Sequence, residues 1–144
     1  MTIPWQQMRS HADVLSFAEA VESDPRIWRN YSTAIGEALV AAHYAFSEIP
    51  DCKRRVVDVS GDGISNEGSP PDTLKETLWS DGIVINALAI ETDKTDLTAY
   101  FYESVIAGEG AFVMTASGFE DYPEQIRRKL QREVLDRVSL ATED

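Results

Sequence analysis

The chain has one cysteine, Cys52, which excludes an internal disulfide and any zinc centre built from thiolates. No histidine stands near it in sequence, so it is read as an inert loop thiol and not as a nucleophile. Basic residues are also few. Against 13 Lys and Arg stand 25 Asp and Glu, a net charge of −12, and both halves of the chain share the excess. No basic face is left for a phosphate backbone, so neither nucleic acid nor an anionic membrane is expected as a partner. Long apolar runs are missing as well, and Met1-Thr2-Ile3-Pro4-Trp5-Gln6 has neither the basic nor the apolar part of a signal peptide. The sequence as written therefore predicts a soluble chain. A signal peptide encoded upstream of Met1 would revise the compartment. The two histidines, His11 and His43, lie in different helical segments without ligand spacing, and read as surface or satisfied helix histidines.

What remains is an ordinary globular composition, 144 residues with 43% hydrophobic and 26% charged, enough to bury a core without staples. From Ser10 to Val21 the residues Val14, Leu15, Phe17, Ala18 and Val21 recur at helical spacing behind a Ser10/Asp13 capping start. After a loop containing Pro25 and Trp28, Ser32-Thr33 opens a second helix with the stripe Ile35, Ala38, Leu39, Ala42, Phe46, closed by Ile49-Pro50-Asp51. Arg54 to Ser60 is β-branched and reads as a strand, running into the turn Gly61-Asp62-Gly63. A short helix with Leu74 and Leu78 inward stops near Gly82. Ile83 to Ile90 is apolar on both faces, as a strand covered on both sides should be. A helix over Leu97 to Ala107, a strand over Ala111 to Ala116 and a last helix with Ile126, Leu130, Val134 and Val138 inward complete the chain. On the wet face of that last helix, Glu124 with Arg128 and Glu133 with Arg137 make i,i+4 pairs. Two helices followed by three strand–helix units predict an α/β fold, a doubly wound, Rossmann-like parallel sheet with right-handed crossovers.

In such sheets ligands gather at the carboxyl ends of strands and at helix N-termini, which points to Ser60–Gly68 and to Ser32-Thr33. The first segment holds Asp62, Glu67, two hydroxyls and an amide, all hard oxygen donors suited to magnesium, calcium or manganese. The plainer reading is an Asp-Gly turn facing water. Thr33 is either a helix N-cap or a hydroxyl able to reach a metal or its water. Asp58, between valines in a strand, needs either Arg54 or Arg55 as partner or an exposed edge position. The segment is neither an EF-hand, since Ile64 stands at the third ligand position, nor a phosphate loop, which would need Lys followed by Ser or Thr. Gly63-Ile64-Ser65-Asn66-Glu67 lacks the closing glycine of a nucleophile elbow. The aromatic residues Trp5, Trp28, Trp79, Tyr100, Phe101 and Tyr102 read as packing residues.

Four blocks in order, Thr33-Ala34-Ile35-Gly36-Glu37-Ala38-Leu39, Arg54 to Gly63 with Asn66 and Gly68, Gly82 to Leu88, and Val105 to Val113, resemble a bacterial domain of unknown function family (domain of unknown function 1194) within the von Willebrand factor A-like superfamily. The resemblance covers nearly the whole chain. It implies a fold with a metal-ion-dependent adhesion site, in which Thr33 matches the metal-site threonine and Asp62 the aspartate at the end of the fourth strand. Ser60, Ser65 and Asn66 match no ligand. The Asp-x-Ser-x-Ser motif that supplies most direct ligands is absent, so by this resemblance residues 1–144 are one N-terminally truncated domain lacking the first three strands. The expected function is then a non-enzymatic protein-binding module with a partial adhesion site, Mg2+ or another divalent cation bridging Thr33, Asp62 and an acidic group of an unknown protein partner. The alternatives are a metal-dependent hydrolase or phosphotransfer enzyme using Asp62 and Glu67, and an inactive remnant. Loss of the central strand makes Val56 to Ser60 an edge, from which self-association is expected.

Overall fold

The computed structural model describes residues 3–25, 32–49, 52–92 and 95–140. The expected loop residue Trp28 and the closing Pro50-Asp51 lie outside the described residues. In chain order the elements are α1 (His11–Ser23), α2 (Ile35–Phe46), β1 (Arg55–Gly61), α3 (Asp72–Ser80), β2 (Ile83–Ile90), α4 (Leu97–Ser104), β3 (Val113–Ala116) and α5 (Tyr122–Leu140). The three strands form one parallel sheet in the order β1-β2-β3, with Arg55 beside Ile83 through Gly61 beside Ala89, and Ala87 beside Val113 through Ile90 beside Ala116. The chain is thus α/β with helices flanking a parallel sheet, as the element pattern predicts. None of the described helices is long and apolar enough to cross a membrane.

Strand alternation divides β2 between two environments. Ile83, Ile85, Ala87 and Ala89 point into one cluster with Ile35 and Leu39 of α2, Leu78 of α3, and Leu97 and Phe101 of α4. Val57 and Val59 of β1 pack against the same cluster. On the opposite face Asn86 looks toward α5. Gly82 ends α3 with φ 74°, a conformation open to glycine at little cost, and its N–H closes the last turn on Trp79 O at 2.8 Å.

Several expectations change in detail. Helix α1 has its Ser10/Asp13 capping box, yet none of its residues is buried, and Val14, Leu15, Phe17 and Val21 are exposed. Helix α4 stops at Ser104 and does not continue to Ala107, because Ala107 exchanges both backbone hydrogen bonds with Ile85. The buried β2 backbone needs that partner, since the β3 ladder starts only at Ala87. Among the aromatic residues Phe101 is core, whereas Trp79 and Tyr102 are exposed.

The largest correction concerns α5. Leu130 and Val134, expected inward, are exposed and Ile126 is half-buried, while the side chain of Val138 lies outside the described residues; within 122–135 the fully buried residue is Lys129, with no accessible surface. Its ammonium donates to the Asp58 carboxylate on β1 and to Glu133 Oε1 at 2.9 Å. Asn86 Nδ2 donates to the same Glu133 oxygen at 2.8 Å, and Asn86 Oδ1 accepts from Phe112 N at 3.2 Å. The Arg132 guanidinium lies 3.9 Å from the centre of the Phe112 ring. The inward face is therefore polar. An apolar stripe outside and an ammonium inside is tolerated because two of the lysine's three donors meet carboxylates, those of Asp58 and Glu133. Asp58 finds its partner in Lys129 and not in Arg54 or Arg55, and it does so from an exposed position on the sheet edge. Glu124 pairs with Arg128 as expected, at 2.8 Å; Glu133 pairs with Lys129, and the side chain of Arg137, its expected partner, lies outside the described residues.

One ammonium for two carboxylates splits their titration. Burial pushes the Asp58 carboxyl above its ordinary 3.8, Lys129 opposing and Glu133 adding to the rise. Burial also acts to raise Glu133, but hydrogen bonds from Lys129, Asp58 and Asn86 outweigh it and hold the group below 4.5. Ionising Asp58 as pH rises from 3.8 through its raised value thus works against the fold. The contribution of Glu133 is complete above 4.5 and is lost on acidification through its lowered value. Glu133→Gln is expected to lower stability at neutral pH by about 3 kcal/mol, as for loss of one partner of a buried pair. Asp58→Asn, on a solvent-screened group, is expected to lower it by less than about 1 kcal/mol. It should also flatten the decline in stability that sets in as pH rises above 3.8. Urea denaturation of both variants across that range measures this, and equal losses would contradict the assignment.

Candidate functional site

The carboxyl ends of β1 and β2 open into a cavity of about 240 Å³. Thr33, Asp62, Gly63, Asn66, Glu91 and Thr95 are among the residues lining it. Thr33 and Asp62, the two residues matched to a metal site, are 29 positions apart in sequence and share this wall. Asp62 follows the last residue of β1 and is exposed. Thr33 precedes α2, and a side chain on Gly63 would stand 3.7 Å from its Oγ1.

Thr33 does not cap α2. The N-cap is Ala34, without a side-chain hydrogen bond of its own. The free Ile35 N–H at the helix start goes instead to Ser65 Oγ at 3.1 Å, and the same hydroxyl donates to Thr33 O at 3.3 Å. Asn66 Oδ1 accepts from Thr33 N at 2.9 Å, while the N–H groups of Asn66 and Glu67 donate to Thr33 O at 2.8 and 3.2 Å. Tyr100 Oη accepts from Ser65 N at 3.2 Å. Ser65 and Asn66 therefore position Thr33 by fixing its backbone, and no hydrogen bond among the described residues involves its hydroxyl. Ser60 is exposed on β1 and is not on the cavity wall.

Further along the loop Ser69 N donates to Glu37 Oε1 at 3.1 Å. Here α2 comes so close that a Cβ on Gly36 would stand 1.9 Å from Ser69 O. Only glycine permits that approach. Glu67 points elsewhere: it lines a second cavity of about 350 Å³ with Ser65, Asn66, Gly68 and Tyr100 among others, so Asp62 and Glu67 are not brought to one cavity.

Glu91, just past β2, is a wall residue that the sequence reasoning did not select. Its Oε1 accepts from both Thr98 Oγ1 and Thr98 N at 2.8 Å, and those hydrogen bonds, the hydroxyl's foremost, hold its carboxyl below the ordinary value. Its signal was its place at the carboxyl end of a buried strand. Thr98 Oγ1 in turn lies 2.8 Å from Thr115 Oγ1, tying α4 to β3.

The donors facing the cavity are hard oxygens, which suit magnesium or calcium by type. Their number is small: among the described residues the wall carries two carboxylates, Asp62 and Glu91. Among the described residues no group of three or more His, Cys, Asp or Glu side chains is placed to hold an ion. A divalent cation here would take most of its shell from water and from an outside ligand.

A family model described as a protein of unknown function (DUF1194) matches residues 1–138. No curated protein and no solved structure matches the chain.

Gly36→Ala is expected to force α2 and the Ser65–Ser69 loop apart, at about 2–3 kcal/mol of stability, the range of overpacking in a tight contact. It should also raise amide exchange at Asn66 and Glu67, whose partner is Thr33 O. Unfolding in urea with residue-resolved exchange tests this, and unchanged exchange at those two amides would contradict it.

Proposed function

Because the chain belongs to the DUF1194 family, whose function its description leaves unknown, we propose a reading that rests on the cavity itself. It is a non-enzymatic protein-binding module of von Willebrand factor A-like type. Thr33 and Asp62 would hold a divalent cation weakly at the strand ends. The open shell is then available to an acidic group of a partner protein.

The observation that carries this reading is that Thr33 and Asp62, from two separate segments, line one strand-end cavity, with a network of loop hydrogen bonds devoted to fixing Thr33. A carboxylate uncovered by side-chain partners is where a cation gains most. Glu91, kept ionised by Thr98, adds negative potential. When bound, the cation would supply a positive point for an acidic ligand on a chain of net charge −12. Thr33 contributes a neutral oxygen, Asp62 the anionic one, and the Ser65/Asn66 frame their fixed separation.

Calorimetric titration with MgCl2 and MnCl2 is expected to give a dissociation constant of about 10⁻³ M, typical of oxygen sites with few anionic ligands. Asp62→Ala should abolish the heat, and Thr33→Ala should weaken binding several-fold with the fold intact by circular dichroism. Absence of binding to the wild-type chain would sink the cation and leave an inert domain, and turnover of generic phosphate or ester substrates would favour an enzyme.

A further inference from the structure

Strand β1 is the end strand of the sheet: its seven residues pair with β2 along one side only. Among the described residues no other backbone hydrogen bond reaches Arg55–Gly61. An edge of this length, rich in valine and free of proline, is a template for another strand. Two charges on it stand out. Asp58 gives Oδ1 to Lys129, and its Oδ2 has no partner among the described residues. It belongs to a cluster with one ammonium for two carboxylates, so one negative charge is uncompensated on the open side of the sheet. Arg54, four residues earlier, makes no ion pair among the described residues. It directly precedes the strand, and strand alternation extended by that one residue sets it on the face of Asp58.

We propose that this edge is an interface between two copies of the chain, in which β1 of one copy pairs antiparallel with β1 of the other about a two-fold axis at Val56, placing Arg54 of each opposite Asp58 of its mate. In a two-fold antiparallel pair the residues opposite one another lie on the same face and their numbers have a constant sum. The register centred on Val56 sets 54 against 58 and 55 against 57. The result is a continuous six-stranded sheet. It gives the amides and carbonyls of the strand's first half partners, sets Val56 against its own counterpart at the centre, and brings an arginine to each Lys129 cluster, which lacks a cation. Shifting the axis to Asp58 would instead oppose the two Asp58 carboxylates, which is repulsive.

Sedimentation equilibrium of the 144-residue chain from micromolar to millimolar concentration is the first test, with a reversible monomer–dimer equilibrium expected. Arg54→Glu should weaken it about tenfold or more and Arg54→Lys much less, as for a close interfacial charge pair. Both substitutions lie outside the core, and circular dichroism verifies folding. The second test is register. In a Cys52→Ser background, Val56→Cys puts one thiol on the axis. Opposed Cα atoms about 4.5–5.5 Å apart then lie within disulfide range, so mild oxidation should give a covalent dimer, whereas Ser60→Cys should not. A monomer at all concentrations overturns the proposal. So does a dimer that ignores Arg54 and fails to cross-link at Val56, which would move the contact to another surface such as the exposed apolar stripe of α1.

Discussion

The ammonium of Lys129 is the contact on which the architecture turns. A parallel sheet must be covered on both faces, and here the two covers differ in kind. The face toward α2, α3 and α4 is closed by an apolar cluster, which is tolerant of small shifts. The other is covered by α5, whose one fully buried residue among those described is a charge. An apolar contact could slide; this one cannot. Moving α5 by one residue would bury Arg128 or Leu130 against Asp58 and expose Lys129, leaving carboxylates unpaired at the sheet. Buried ion pairs add little net stability over an apolar substitute, but removing one partner is costly, so they discriminate between registers. Lys129 fixes α5 against β1 and β2 together, and with them the strand ends four residues beyond Asp58 where the cavity opens.

At those ends the construction is backbone-led. Thr33 O accepts from Ser65 Oγ, Asn66 N and Glu67 N, and Asn66 returns a bond to Thr33 N. Segments that approach the sheet separately are knotted at a single residue, and the packing of Gly36 against Ser69 O brings them within reach. This explains why the loop is rich in Ser, Asn and Gly without being a nucleophile elbow or phosphate loop: these residues serve as joints. The polar atoms left over, the Thr33 hydroxyl and the Asp62 carboxylate, are the ones on the cavity wall.

How much of this the sequence carries follows from which forces leave a periodic trace. The elements of the sheet were legible because strand-period apolar runs and Gly or capping residues mark them, as with Ile83–Ile90 and Gly82. The strand-end position of Asp62 followed from the same pattern. The inward face of α5 was not legible. Leu130 and Val134 make a convincing helical stripe, and periodicity cannot foresee that the lysine directly before Leu130 will find two carboxylates, one of them in a strand 71 positions earlier. Nor could it show that α1, equally well patterned, packs on nothing among the described residues. Which of the two roles open to Thr33 holds was not legible for a related reason: its helix takes the capping oxygen from Ser65, 30 positions beyond Ile35 in the chain, and capping rules look only a few residues ahead.

Strand β1 also has a polarity that bears on both proposals. Its entry carries Lys53, Arg54 and Arg55, its second half Asp58, Ser60 and, just beyond, Asp62. Positive charge enters the sheet and negative charge leaves it. A like strand laid parallel would match cation with cation and carboxylate with carboxylate along the whole edge. Laid antiparallel, it matches unlike ends, while the exit carboxylate Asp62 runs past the paired region and stays open to the strand-end cavity. Edge and cavity therefore do not compete for the same charges: Arg54 and Arg55 stand at the strand's entry near Asp58, and among the described residues Asp62 makes no ion pair.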